Sequence, residues 1–326
     1  MINIKSRLEL ESYLRLNHAS HREWQAALRQ LYGSADIHCD FFAGDGDAGA
    51  LSALDSDAGQ IVWVHALQDV DIAGWQDEPL VAVIITAGEA LASWGGQPWS
   101  ELAAPAIVYH LSGFRLRLNA GTDAVFLRPD SGLLSSLPAS GVSSPAGLKA
   151  LVESYLFRAR MFFNDQQARS LTTELLKTVA RALATGQFTD SVLSPLLEPA
   201  QFDRRLVRAI EKIRQEPEWD FDLQALASHA GVSERNLYYL MKRQTGMTPY
   251  RYFQRCRLLR VRQRLVDCQC SVPHISWYAA DEGFSHLGRF SALYREHFGE
   301  LPSETVGWRR GLLIADQEMM ASDPVG

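Results

Sequence analysis

The stretch that decides the fold is DLQALASHAGVSERNLYYLMKRQTGMTP, residues 222–249. Its first apolar residues recur on one helical face: Leu223, Leu226, Ala227 and Ala230. Gly231 follows them where a left-handed turn residue is needed, and Asp222 and Ser233 are residue types that cap helices. The pattern predicts a helix, a tight turn and a second helix.

The second predicted helix has an apolar inner side and a polar outer side. Leu237, Leu240 and Met241 face inward by their spacing. An outward stripe at spacings of three, four and seven fits the major groove of a duplex. The candidate DNA-binding residues of this unit include the predicted cap residue, and they are Ser233, Arg235, Asn236, Tyr238, Tyr239 and Lys242. Either tyrosine could instead pack inside the domain.

Thr248 and Pro249 predict the start of a helix of about eighteen residues, because proline is well tolerated at the first helical position. Such a helix spans about 27 Å, long enough to separate two reading heads. It carries six arginines, and no Asp or Glu lies between Arg251 and Arg264. We therefore expect phosphate contacts from some of them, with Arg251 and Arg255 as candidates. The alternative is a solvated face held by ion pairs.

A second unit is predicted in VPHISWYAADEGFSHLGRFSALYREHFGELPSETVGWRRG, residues 272–311. Gly283 stands at the turn, and Ser285 is expected to cap the next helix. The two predicted caps, Ser233 and Ser285, are 52 residues apart, a weak internal repeat. The candidate DNA-binding residues that this pattern gives are Ser285, His286 and Arg289.

Two segments, ALASHAGVSERNLYYLMKRQTGMTPYRYFQRCRL and GFSHLGRFSALYREHFGELPSET, resemble the DNA-binding domain of the AraC/XylS family of bacterial transcription regulators, the second being similar to the XylS-like subset. The resemblance covers about a third of the chain, residues 203–310. It implies seven helices, two heads on successive major-groove segments and contact with RNA polymerase. It also implies that Gly288 and Ala292 join His286 and Arg289 as base-reading positions of the second unit. Gly288 is a departure from the family, because glycine is a poor helix former inside a recognition helix. A glycine also lets the helix backbone approach a phosphate, which suggests that the second unit clamps phosphates more than it reads bases.

Upstream, short β-branched and aromatic runs between about Gln60 and Pro129 predict a β-barrel or cupin-like domain. Within it, FRLRLN alternates as a half-buried strand should. Residues from Leu148 to about Ala184 change to a helical period and predict two helices, broken near Asn164. Their apolar stripes could pack on the barrel or against a second subunit. The barrel tryptophans could line a pocket or the core: Trp63, Trp75, Trp94 and Trp99.

The predicted fold class is α+β, with a barrel-like domain and paired helices followed by an all-α domain with two helix-turn-helix units joined by a long helix. The predicted divisions are 1–185 for effector binding and dimerisation, 186–201 for a linker, 202–310 for DNA binding and 311–326 for an acidic tail. Only the resemblance supports an effector, and nothing in the sequence names one.

Charge divides the chain in the same way. Residues 1–200 hold 14 Lys and Arg against 22 Asp and Glu, whereas residues 231–310 hold 13 against 7. The first part is therefore unsuited to binding nucleic acid, and the later part is suited to it. The N-terminus lacks the apolar block of a secretion signal and no segment can span a bilayer, which predicts a cytoplasmic protein with free cysteines.

Enzymatic and metal-binding interpretations find little support. His65 and His110 lie on separate predicted strands and are expected to be core histidines, and residues 38–57 miss the calcium-loop pattern and suggest a solvated loop. No catalytic signature appears, so we expect no catalytic residue, cofactor or metal.

These observations favour a sequence-specific DNA-binding regulator, an effector-responsive activator that binds double-stranded DNA and RNA polymerase as a homodimer. The alternative is a dimeric protein that sequesters another regulator and binds DNA weakly.

Overall fold

The computed structural model describes most of the chain in separate ranges. These are residues 8–44, 46–75, 81–102, 106–109, 113–133, 141–143, 146–185, 203–269 and 274–322. The predicted linker, residues 186–201, lies outside them, as does His110.

Two antiparallel sheets form the first half of the chain. The strands are β1 Leu14–Ala19, β2 His38–Phe41, β3 Gly49–Ser56, β4 Gly59–Ala66, β5 Val70–Ala73, β6 Val81–Ala87, β7 Ala90–Ser93, β8 Ser100–Glu101, β9 Ala106–Tyr109, β10 Arg115–Leu118, β11 Thr122–Pro129 and β12 Gly141–Ser143. One sheet has the order β1-β3-β4-β11-β6-β9-β12 and the other β2-β5-β10-β7-β8. The solvated loop expected at residues 38–57 is wrong, because β3 lies inside the larger sheet.

Among the described strands neither sheet closes on itself, so the predicted barrel is corrected to two open sheets. One physical reason is visible at β1, the edge of the larger sheet. The long helix at residues 249–266 and the last helix pack against β1. They cover the edge of this strand, which would have to pair with another strand for the sheet to close into a barrel.

The larger sheet separates two apolar cores, as alternation along its strands requires. Val62, Val64 and Phe126 pack toward the smaller sheet. Ile61 and Trp63 pack on the opposite side, toward two helices. Trp63 is therefore a core residue. The alternation predicted for FRLRLN is confirmed in β10, whose Leu116 and Leu118 are buried.

Ten helices are described. They are α1 His21–Tyr32, α2 Ala146–Ala159, α3 Asp165–Thr185, α4 Arg204–Gln215, α5 Leu223–Ala230, α6 Glu234–Thr245, α7 Pro249–Val266, α8 Ile275–Asp281, α9 Leu287–Phe298 and α10 Pro302–Ser322. The break near Asn164 separates α2 from α3 as predicted. Tyr155 of α2 and Val179 of α3 are buried against the larger sheet. The apolar stripes of these two helices therefore pack on the sheet of the same chain.

Seven of these helices follow residue 203 and form two small cores. One lies among α4, α5, α6 and the start of α7, and the other lies among the rest of α7, α8, α9 and α10. The last helix runs through residue 310, where the acidic tail was expected to begin, and its buried Leu312 packs with the core between the sheets.

Buried ion pairs join the sheet domain to the helical domain. Arg262 donates to Glu300 at 2.8 Å and to the carbonyl of Leu14 at 3.1 Å. Arg15, on β1, donates to the same Glu300 at 2.6 Å. Arg309 on α10 donates to Glu23 of α1 at 2.7 Å. Burial acts to raise the pKa of Glu300, but the charges of Arg262 and Arg15 outweigh it and lower that pKa to about 2.

The depressed pKa of Glu300 predicts a loss of stability in acid. The ionised form is favoured in the folded state, so its contribution is complete above the usual glutamate pKa, near 4.5, and is lost as the pH falls toward about 2. Glu300→Gln should therefore destabilise the protein at pH 7, and about 2 kcal/mol of that difference should disappear by pH 3. Urea unfolding at each pH measures this. Glu153→Gln, at an exposed site, is the control. A difference for Glu300→Gln that is the same at pH 7 and pH 3 would contradict the assignment.

Candidate nucleic-acid interface

The first helix pair has the caps and the turn that the sequence predicts. The Asp222 carboxylate accepts a hydrogen bond from the amide of Ala225 at 3.1 Å, and the Ser233 hydroxyl accepts one from the amide of Asn236 at 3.3 Å. Gly231, between the helices, has φ +73°, a left-handed conformation that glycine adopts without steric cost. These local bonds set the angle at which α6 leaves the turn.

The outer face of α6 is open to solvent, while Leu237, Leu240 and Met241 are buried beneath it. Tyr238 is 44% exposed and Tyr239 58%, so neither is a core residue. The candidates placed together on this side are Ser233, Arg235, Asn236, Tyr238, Tyr239 and Lys242, all exposed.

Several side chains of this face contact one another or the backbone, and the centres of the Tyr238 and Tyr239 rings lie 5.9 Å apart. The Arg235 guanidinium lies 5.7 Å from the centre of the Tyr239 ring, and the Lys242 ammonium donates to the carbonyl of Gly246 at 3.0 Å. Lys242 therefore helps to end α6, whereas Arg235 and Tyr238 remain at the middle of the open face.

The second helix pair, α8 and α9, has a similar turn but a different start. Gly283 has φ +74°, as predicted. The cap position of α9 is His286, without a side-chain cap bond, and the helix begins at Leu287. The prediction that Ser285 caps this helix is therefore wrong, because the helix starts one residue later than the cap prediction requires.

The outward side of α9 is nevertheless open. Phe290, Tyr294 and Phe298 are buried beneath it. The five candidates of this unit are all exposed: Ser285, His286, Gly288, Arg289 and Ala292. A Cβ added at Gly288 would have no atom within 4 Å. The backbone at this position can therefore be approached closely from outside.

The arginines of α7 are the main departure from the sequence prediction. Arg255 is fully buried, and its guanidinium donates to the carbonyl of Phe162 at 2.7 Å and to the hydroxyl of Ser12 at 3.2 Å. Arg262 is 1% exposed. Neither guanidinium has a surface for a phosphate, so the prediction of DNA contact for Arg255 is corrected to a contact between the two domains.

Most of the other α7 arginines also have partners inside the chain. Arg260 pairs with Glu282 at 2.8 Å, and Arg264 pairs with Asp281. Arg257 lies between the rings of Phe253 and Phe284, 5.3 and 5.4 Å from their centres. The two acids come from another segment of the chain, so the lack of acids between residues 251 and 264 did not reveal these pairs.

Arg251, by contrast, is exposed. Burial first, and then the charges of Arg255 and Arg251, lower the pKa of the neighbouring His297 to about 3.

Sequence analysis missed a second set of exposed cations. Arg204, Arg205, Arg208 and Arg243 lie beside the first helix pair and are all exposed. The signal was present in α4, whose Leu206, Ile210 and Ile213 face the core and leave arginines on the other side.

Metal and membrane interpretations gain nothing from the described ranges. Within them, no group of three or more His, Cys, Asp or Glu could hold a metal ion. His65 instead pairs with Asp123 at 2.7 Å. None of the helices in the ranges given above is long and apolar enough to cross a bilayer.

Known proteins are similar to this region in particular. A family described as a helix-turn-helix domain matches residues 226–307. The XylDLEGF operon transcriptional activator 2 of Pseudomonas putida is 30% identical over 158 residues, 48% of this chain and 94% of that protein. The HTH-type transcriptional activator RhaS of Escherichia coli O157:H7 is 37% identical over 98 residues, 30% of this chain and 33% of that protein.

A solved structure is also similar to about a third of the chain. It is a probable AraC family transcriptional regulator from Rhodopseudomonas palustris CGA009, 28% identical, with a TM-score of 0.30. The similarity covers 32% of this chain and 96% of that one.

The different surroundings of Arg255 and Arg251, four residues apart on α7, generate a prediction. Arg255→Gln should lower the free energy of unfolding by about 2–4 kcal/mol, because it removes a buried charge and leaves the Phe162 carbonyl and Ser12 hydroxyl without their donor. Arg251→Gln, at the exposed position, should change it by less than about 0.5 kcal/mol. Urea unfolding of the full chain measures both. Equal values for the two variants would show that Arg255 has no such role.

Proposed function

Because this chain belongs to the AraC/XylS family of transcription regulators, we propose that it binds one specific duplex site through two helix-turn-helix units and thereby controls transcription. One observation carries the proposal. The outer faces of α6 and α9 are exposed together, while their inner faces are buried. Surface helices commonly expose a polar face, but these two exposed faces carry residue types that bind bases and phosphates, among them Arg235, Tyr238 and Arg289.

In the first unit, α6 enters the major groove. Arg235 reads a base edge, most simply guanine through a bidentate contact, and Tyr238 contacts a base or a phosphate. Tyr239 and Lys242, which have partners within the chain, support these two residues.

In the second unit, α9 acts mainly as a clamp. His286 and Arg289 face the second groove segment, and the open backbone at Gly288 approaches a phosphate. The two units are joined by α7, whose 18 residues span about 27 Å. Successive segments of one face of a duplex lie about 34 Å apart, so the two outer faces must be separated by somewhat more than the length of α7.

The sheet domain is the regulatory part of the proposal. Its excess of acids keeps it away from the duplex. It binds a small effector of unknown identity and supports a homodimer, and the regulator activates transcription in contact with RNA polymerase. The two relatives named above are transcriptional activators, which favours activation over repression. No catalytic step is required, and the protein acts in the cytoplasm, where the DNA is.

The direct test is a selection of bound sequences from random duplex DNA with the full chain, repeated with candidate small molecules. A regulator yields one enriched motif with two parts, and its affinity falls by roughly a thousandfold between 50 and 200 mM salt if about six phosphates are contacted. A protein that only sequesters a partner yields neither, and that result would overturn the proposal.

The role of Arg235 predicts a change in specificity. Arg235→Ala should reduce discrimination at one base pair of the selected site by about 1–3 kcal/mol, because the bidentate contact is lost. Binding to the selected duplex and to single-base variants measures it. Arg22→Ala, an exposed position on α1, should leave discrimination unchanged. If Arg235→Ala also leaves it unchanged, Arg235 does not read a base.

The clamp role of Gly288 predicts opposite effects on folding and binding. Gly288→Ala should raise the free energy of unfolding by up to about 1 kcal/mol, since alanine favours a helix and meets no neighbour. It should weaken binding to selected and random duplexes alike, because the added Cβ holds the backbone away from the phosphate. Gly307→Ala on α10, equally unobstructed, is the control and should not affect binding. Unchanged affinity for Gly288→Ala would exclude a backbone contact.

A further inference from the structure

An open groove of about 400 Å³ lies between the start of α4 and α6, beside the first reading face. We call it the flanking groove. Its lining residues are Arg205, Val232, Asn236, Tyr239, Leu240 and Arg243. Leu240 is buried and Val232 half-buried, so the apolar members form the floor, whereas the exposed nitrogen donors Arg205, Asn236 and Arg243 form the rim.

The flanking groove has more cations than anions. Asp203 is its nearest acid, and Arg205 donates a side-chain hydrogen bond to it at 2.5 Å. The hydrogen bonds from Arg205, together with the charge of Arg243, hold the pKa of Asp203 well below its usual value. Arg208 lies close to the turn at Gly231 and adds a further positive charge. The lining of the groove itself contains two guanidinium groups, Arg205 and Arg243, and no carboxylate.

The position of the groove on α6 suggests what occupies it. Two parallel stripes run along the outer side of α6. The first consists of Arg235, Tyr238 and Lys242. The second is displaced by one residue and consists of Asn236, Tyr239 and Arg243. One residue is about 100° around a helix. When a helix lies in the major groove with one stripe toward the bases, an adjacent stripe faces the sugar-phosphate backbone at the side of the groove.

We propose that the flanking groove binds a phosphate of the DNA strand that borders the first major-groove segment. Arg205 and Arg243 supply the charge, and the side-chain amide of Asn236 donates a hydrogen bond. The exposed pair between Arg205 and Asp203 contributes little on its own, so Arg205 can turn to a phosphate at small cost. This inference rests on the proposed function. It places the main phosphate contact on α4 and α6, whereas the sequence predicted that contact on α7.

The test compares two double variants of the full chain on the selected duplex and on a random duplex. Arg205→Gln with Arg243→Gln removes the two charges, and Asp203 keeps its backbone bond to residue 205 at the start of α4. Lys149→Gln with Lys177→Gln removes one half-buried and one exposed charge from α2 and α3 of the sheet domain and is the control. Binding is measured between 50 and 200 mM salt.

The proposal predicts weaker binding of the arginine double variant to both duplexes, with the same ratio between them. Loss of this one phosphate contact makes the logarithmic salt slope shallower by about 0.9, so the loss of affinity over this fourfold range should be about 3.5-fold smaller than for the unaltered protein. The lysine control should keep the original slope.

A salt slope unchanged in the arginine variant would overturn the flanking groove as a phosphate site. A changed ratio between the two duplexes would also overturn it, because that result means base reading. If the unaltered protein fails to distinguish the duplexes, the proposed function fails, which is a separate outcome.

Discussion

Two guanidinium groups, those of Arg255 and Arg262, are buried where the sheet domain meets α7, and the rest of the structure depends on their bonds. A buried charge without partners is strongly destabilising, so the groups that receive these bonds must stay in place. Those groups belong to the segment that leads into β1 and to the loop between α2 and α3. The long helix is therefore fixed to the sheet domain along its length, and Glu300 adds a carboxylate shared between Arg262 and Arg15.

This constraint orients the surfaces that remain. Because α7 turns its arginines toward the sheet domain and toward its own neighbours, it offers little of its charge to a duplex. The helices on either side of it keep their polar faces outward, and α4 adds a row of exposed arginines beside the first pair. In the proposed mode of binding, phosphate contacts and base reading therefore fall on the same helices, α4, α6 and α9, which α7 connects. The same bonds give the sheet domain a physical connection to both units, through which an effector could act.

The parts of this structure that the sequence predicted are those decided by neighbouring residues. Caps at Asp222 and Ser233 and the left-handed Gly231 each depend on bonds within four residues, and the apolar periods show which side of each helix is buried. The fates of Arg255 and Arg262 depend on groups 243 and 248 residues away, which no local pattern reveals. The open sheets were missed for a similar reason, since the helices that cover the edge of β1 come from the far end of the chain.

Hydroxyl-radical footprinting of a duplex with one selected site, bound by the full chain, tests the central claim most directly. Two reading faces held apart by α7 predict two protected patches per bound chain, on one face of the duplex and about 10 base pairs apart. The backbone that borders the first patch should be protected as well. A single patch, or two patches on opposite faces, would contradict the account.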